Sequence, residues 1–262
     1  MTYPESSQRI NVEDMALEKR KPGIVDIQFL WQAEPKVFAG LTQQQLTHLT
    51  YQAADFFHIP AETRNRIHFY FGDHVVVEHP EEGELIALAH AIPNYDPYTG
   101  SLIDVTVVIN RSKELYDEEN KGHLGLEYYE TIAAGSVGLH LRYPWEEAAW
   151  KIAEELHHAH VLLRLESEDK TSDALENYKR YATSLLKKEN VKNINIDALN
   201  VVELAGTRQA LRFLIALAQE IAPERIPVYE EVLQRSLQTR SVVINDLAFE
   251  ADSVYIPTGY QS

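Results

Sequence analysis

The sequence contains no cysteine among its 262 residues. Disulfide bonds and thiolate metal sites are therefore excluded, and any metal site needs histidine and carboxylate ligands. Long hydrophobic runs are also missing: no stretch approaches the ~20 apolar residues of a membrane-spanning helix, and the N-terminal segment lacks the apolar region of a signal peptide. We therefore expect a cytoplasmic protein with no membrane partner.

Positive charge is scarce in this chain. Lysine and arginine total 24 against 40 aspartates and glutamates, which makes the formal net charge −16. The basic runs are short, namely KRK at 19–21 and KK at 187–188. Because nucleic-acid binding needs clustered lysine and arginine, the composition argues against a nucleic-acid partner and suits the binding of cations.

The hydrophobic pattern places strands first and most helices later. Thr42 is a plausible N-cap for an early helix, and the strand-like runs that follow predict an antiparallel β-meander over residues 66–72, 73–79, 84–92 and 102–110. Helical spacing then dominates from Pro144 to about 166 and over 171–188, 197–222 and 227–239. This segregation is typical of an α+β fold.

We expect one α+β domain over residues 42–240. An N-terminal arm with a possible strand, over residues 1–41, precedes it, and a C-terminal strand and tail follow over 241–262. Residues 113–143 read as an irregular insertion, because a charged stretch is followed by Gly135 and Gly138, which weaken any long helix.

The helix after Pro144 carries the stretch AEELHHAHVLL, which combines two glutamates with three histidines. At 100° per residue, one side of this helix is apolar and should pack on the protein. The members of this stripe are Trp145, Ala148, Ala149, Ile152, Leu156, Ala159 and Leu163.

The same helical wheel sorts the polar residues of the stretch. Glu154, Glu155 and His158 border the apolar stripe and can converge there, since residues one turn apart are neighbours. His157 and His160 fall elsewhere, and we expect them on the solvated surface.

A glutamate also falls on the apolar side of the 197–222 helix. Glu203 lies in the apolar sector, whereas Arg208, Arg212 and Gln219 occupy the opposite face. Burial of an unpaired carboxylate costs on the order of several kcal/mol, so Glu203 should be protonated, paired with a cation or bound to a metal. An ion pair with lysine or arginine and a metal ligand remain equal alternatives.

The order of these parts resembles the zincin metallopeptidases of the gluzincin type. A helix and an antiparallel sheet ending in IDVTVVIN are followed by a helix with IAEELHH and a later helix with ELAGTRQAL, which together span residues 42–222. In that family the active-site helix carries H-E-x-x-H. The resemblance implies that Glu155 is the general base and that His158 and Glu203 are metal ligands, with Glu154 in place of the first histidine.

The resemblance further implies a divalent metal, which is zinc or a harder ion such as manganese or iron. A peptide or protein substrate would lie along the 102–110 strand, and Tyr178, Tyr181 and His140 are candidates to stabilise the oxyanion. Without a cation, repulsion among the carboxylates should protonate at least one glutamate and raise the pKa of His158.

Three functions remain open. The first is a zincin-like metal-dependent hydrolase with an altered ligand set and attenuated activity. The second is a catalytically inactive binding protein on the same fold. The third is a ferritin-like di-metal carboxylate protein, since Glu155-x-x-His158 is half of its signature, although the sequence has no second such pair on a long helix.

Overall fold

The computed structural model describes residues 26–31, 41–72, 76–79, 83–86, 89–110, 136–140, 143–168, 174–191, 200–237 and 241–245. Within these ranges the α+β class is confirmed. The helices are α1 Gln43–Phe56, α2 Ala61–Arg64, α3 Pro144–Glu168, α4 Ala174–Lys188, α5 Asn200–Ile221 and α6 Ile226–Arg235. No helix of this described part has both the length and the hydrophobicity needed to cross a bilayer.

The strands are β1 Gln28–Trp31, β2 Ile67–Gly72, β3 Val76–His79, β4 Gly83–Ile86, β5 Ala89–Tyr95, β6 Leu102–Asn110, β7 Ser136–His140 and β8 Ser241–Asn245. The main sheet has the order β1-β2-β6-β5. β1 and β2 are parallel, β2 and β6 are parallel, and β5 runs antiparallel to β6. β3 and β4 pair as an antiparallel hairpin, and β7 and β8 pair in parallel.

The predicted antiparallel β-meander is confirmed only in part. β3 pairs with β4 and β5 pairs with β6 in antiparallel orientation, but β2 skips the three strands that follow it and pairs in parallel with β6, with Ile67 opposite Val105. Every residue of β2 is buried, which is typical of a central strand in a parallel arrangement and which period-two alternation does not anticipate. The run at 84–92 also divides between β4 and β5.

The insertion expected at 113–143 contains one regular element. Ser136–His140 forms β7, so Gly138 lies in a strand that pairs with the C-terminal strand β8. Residues 111–135 lie outside the described part of the chain, as do the arm at 1–25 and the tail at 246–262.

Two local predictions are confirmed. Thr42 caps α1: its Oγ1 accepts from the Gln45 backbone N–H at 3.3 Å, and the Gln45 side chain accepts from the Thr42 backbone N–H at 2.9 Å. This reciprocal capping satisfies two backbone donors that a helix start leaves unpaired.

The second confirmed prediction is the apolar stripe of α3. All seven of its residues are at most 2% exposed, in the main hydrophobic core. The helix contacts β5 and β6 on one side and α1, α4 and α5 on others. α3 is therefore a central helix, buried almost all round.

Candidate metal centre

Three predicted ligands converge between α3 and α5. Donor atoms of Glu154, His158 and Glu203 all lie within 4.8 Å of one another. Glu154 and His158 are one helical turn apart on α3, and Glu203 comes from the first turn of α5, which packs against α3. Two ligands each ~2.1 Å from one ion are at most about 4.2 Å apart, so a small closure of these side chains suffices to enclose a cation.

A hydrogen bond to the Nδ1 atom of His158 fixes the position of its ring. Nδ1 is hydrogen bonded to the hydroxyl of Tyr178 on α4, while Nε2 is buried, lacks a hydrogen-bond partner in the described part of the chain, and lies 3.9 Å from Glu203 Oε2. When Nδ1 carries the proton and donates it to the Tyr178 oxygen, the Nε2 lone pair is available to a metal. Burial raises the pKa of Tyr178 well above its usual value, so its hydroxyl stays neutral and can accept or donate.

Glu154 is oriented by two donors. Its Oε2 accepts from the Trp150 indole N–H at 2.9 Å, and its Oε1 accepts from the Thr207 hydroxyl at 2.5 Å. Desolvation and the charge of Glu203 raise the pKa of Glu154 to about 7, against the lowering influence of His158 and of the two hydrogen bonds. Without a cation this carboxyl group therefore keeps its proton to a higher pH than an ordinary glutamate does.

Glu203 differs from its prediction, because it is exposed rather than buried. Water reaches 61% of its side chain, yet desolvation raises its pKa to about 7. Both findings fit a carboxylate in an open concavity, where water touches the group without surrounding it. Its position in the first turn of α5 also favours negative charge, since the helix dipole is positive there. The contact described for Glu203 is His158 rather than a lysine or arginine.

Glu155, the predicted general base, lies at the edge of the sheet. It is buried and accepts a hydrogen bond from the backbone N–H of Ala91 in β5. Burial and then repulsion from Glu154 and Glu203 raise its pKa well above the usual range. The helical spacing therefore predicted that Glu155 lies beside the proposed ligands, and the structure adds its hydrogen bond to β5.

The edge at Glu155 is a free one among the described strands. β6, the 102–110 strand, is paired on both sides, so the backbone edge that the sequence assigned to substrate is filled. β5 pairs on one side only. Pro93 has no N–H to donate, so its backbone nitrogen should face the unpaired side of β5. Ala91 lies two residues earlier in the strand, so its N–H points to the same side. The hydrogen bond to Glu155 agrees with this direction.

Sequence reasoning missed three residues of the site, which are Trp150, Gly206 and Thr207. Trp150 precedes Glu154 by one turn of α3, and Gly206 and Thr207 follow Glu203 by three and four residues on α5, so spacing alone places them on the same faces. A glycine in a helix interior was the available signal, because it usually has a packing reason.

The other histidines of α3 depart from prediction. His157 is 4% exposed, packs its ring 5.5 Å from that of Phe57, and has no partner for Nε2 among the described residues. The expectation of a solvated His157 is wrong, because α1 covers this side of α3. His160 is half-buried rather than solvated. Burial lowers the pKa of both rings.

The pKa of His158 also moves against prediction. Burial lowers it, and the neighbouring Glu154 only opposes that shift. The pKa values of Glu154, Glu155 and Glu203 are instead raised, which is the direction expected for carboxyl groups that repel one another. Of the oxyanion candidates, Tyr178 is bound to His158 and Tyr181 lies beneath the Arg164 guanidinium, while the side chain of His140 lies outside the described part.

Comparison with protein-family models, with curated proteins and with solved structures finds no match for this chain.

Proposed function

We propose that this protein is a metal-dependent hydrolase that cleaves peptide bonds. One observation carries the proposal: the Nε2 atom of His158 has no hydrogen-bond partner among the described residues, and donor atoms of His158, Glu154 and Glu203 lie within 4.8 Å of one another, with a third carboxyl group, Glu155, beside them. A base adjacent to a cation site is the arrangement that activation of water requires.

The ligand set defines the class of ion. One imidazole and two carboxylates form a borderline-to-hard donor set, suited to zinc, manganese or iron in the divalent state. Such an ion would lower the pKa of a water molecule and polarise the substrate carbonyl. Two ligand carboxylates offset its charge, so we expect weaker activation than histidine ligands would provide.

The free edge of β5 supports an extended peptide substrate. A peptide that adds to this edge as a further strand pairs through its backbone and lies beside Glu155. Glu155 takes the proton from the attacking water and returns it to the leaving amine. A cation held by the neighbouring ligands would offset their negative charge and lower the raised pKa of Glu155, which would make it a base at neutral pH.

One observation favours the second candidate, an inactive binding protein with the same groove. Both oxygens of Glu154 already accept a hydrogen bond, so the structure satisfies this carboxylate without a cation. We rank the hydrolase first because each carboxylate oxygen has two lone pairs and retains one for a metal. The ferritin-like alternative ranks last, since Glu155 and His158 have different partners, Ala91 and Tyr178.

Metal titration together with peptide cleavage tests the proposal. We expect the chelated protein to bind one zinc or manganese ion by calorimetry and then to cleave a casein-derived peptide mixture. Glu203→Gln should abolish both, whereas Glu155→Gln should keep the ion and lose at least ~10²-fold in rate. Glu220→Gln, an exposed glutamate on the same helix, is the matched control for Glu203→Gln.

The outcomes separate the two candidates. Absence of binding for zinc, manganese and ferrous iron would overturn the proposal. Binding of an ion without cleavage would favour the binding protein. Cleavage that Glu155→Gln leaves intact would exclude Glu155 as the base.

A further inference from the structure

A second cavity lies on the flank of α3 away from the metal ligands. It measures about 560 Å³, within the range of about 300–1,000 Å³ of small-molecule sites. We call it the aromatic cavity, and its walls come from α1, α3, α4, α5 and α6; the residues that matter here are Phe57, His157, Arg164, Tyr181, Arg212 and Ile215. None of the three metal ligands lines it.

The charge of the aromatic cavity opposes that of the chain. Among the described residues, its lining includes two arginines, Arg164 and Arg212, and no carboxylate, in a protein whose net charge is −16. Glu189, outside the lining, lies 3.0 Å from Arg212 but also pairs with Arg208 at 2.7 Å. One negative charge thus faces two guanidinium groups, and Arg212 keeps 42% of its side chain exposed.

The remaining wall combines rings with a buried polar group. Phe57 and Tyr181 supply aromatic surface, and the Arg164 guanidinium lies 5.5 Å from the centre of the Tyr181 ring. His157 lines the wall at 4% exposed, with no hydrogen-bond partner for Nε2 in the described ranges. This nitrogen is not accessible from the cavity, so His157 contributes ring surface to the wall rather than a hydrogen bond to a ligand.

We propose that the aromatic cavity binds a small carboxylate with an aromatic body. The two arginines hold the carboxylate, since a planar guanidinium matches a carboxylate through two parallel hydrogen bonds, and the rings enclose the apolar part. This ligand site is separate from the metal centre. Its occupant would press on His157, whose ring centre lies 6.3 Å from that of the metal ligand His158.

Titration of the full-length, chelated protein with 3-phenylpropionate tests the proposal. We expect a dissociation constant of about 1 mM or tighter, as the ligand has about eleven heavy atoms. Propionate and 3-phenylpropanol, which lack the ring and the charge respectively, should bind at least ~10-fold more weakly. Chelation prevents the carboxylate from binding through a metal, and Glu203→Gln should leave this affinity unchanged even if the proposed hydrolase fails.

Variants locate the binding. Arg212→Gln and Arg164→Gln should each weaken it at least ~10-fold, and Ile215→Trp should abolish it by filling the cavity. Arg235→Gln removes an arginine that is 60% exposed and outside the cavity, and it should bind normally. Circular dichroism checks that each variant folds. Because two arginines are replaced separately, the test stands even if one of the two variants fails to fold. Absence of binding, equal loss in Arg235→Gln, or full binding in Ile215→Trp would overturn the proposal.

Discussion

A Cβ atom on Gly206 would lie 2.7 Å from both Cε1 and Nε2 of His158. Real Cβ atoms do not approach other heavy atoms so closely, so only glycine lets α5 pack this near to the imidazole. The same approach brings Glu203 and Thr207, which lie on that side of α5, to His158 and Glu154.

Gly206→Ala should therefore damage the site. We expect a loss of about 1–3 kcal/mol in the free energy of unfolding, because the imidazole must move, and at least ~10-fold weaker metal binding. Urea unfolding and calorimetric titration with zinc or manganese measure the two effects.

A second background serves as the control for Gly206→Ala. In a His158→Ala protein the steric conflict is gone, and alanine is the better helix former by about 1 kcal/mol. Gly206→Ala should then be stabilising. If it destabilises both backgrounds equally, contact with His158 is not the reason for the glycine.

Tyr178→Phe tests the support of the metal ligand. It removes the hydroxyl that contacts His158 Nδ1 and leaves the ring in place. Loss of a partner of this kind typically weakens metal binding by about 10–100-fold, since the tautomer and orientation of the ring are no longer held. Tyr181→Phe on the same helix is the matched control, and equal titration curves for the two variants would contradict the role of Tyr178.

The metal-free protein should lose stability as pH rises. The pKa of Glu154 rises from 4.5, the ordinary value for a glutamate in water, to about 7 in the folded protein. Between these values the folded state binds more protons than the unfolded state, so the free energy of unfolding falls with rising pH. Urea unfolding at pH 5 and pH 7.5 should differ by at most about 3 kcal/mol from this group, and Glu154→Gln should reduce the difference. An unchanged difference in Glu154→Gln would exclude Glu154 as its source.

Metal binding should show the opposite dependence on pH. A cation competes with the protons on Glu154 and Glu203, both with pKa values of about 7, so affinity should rise from pH 6 to pH 8 with release of protons. Calorimetry in two buffers of different ionisation enthalpy counts the protons. A constant affinity over this range would show that these two carboxyls are not ligands.

Glu154→His tests what the missing histidine means. The exchange completes an H-E-x-x-H sequence and removes one negative charge from the ligand set. We expect zinc to gain affinity relative to manganese and peptide cleavage to rise, because the ion keeps more of its charge. Glu220→His, at an exposed position of α5, controls for an added histidine. If neither zinc affinity nor peptide cleavage rises in Glu154→His, the likeness to zincins is accidental.

Local sequence was enough for part of the site. The spacing of α3 predicted its buried stripe and brought Glu154 and His158 to one side of the helix, because helical periodicity depends only on neighbours along the chain. Thr42 predicted the start of its helix for the same reason.

Other features needed the tertiary structure, because they depend on which element packs against which face. The sequence predicted Glu203 buried and His157 solvated, and the packing of α1 and α5 around α3 reversed both. The apolar runs predicted strands, but pairing between distant segments decided that β6 is internal and that the edge of β5 at Glu155 is unpaired among the described strands. Sequence alone therefore determined the donor types and their helical spacing, whereas long-range packing decided which of them meet and which remain open to solvent.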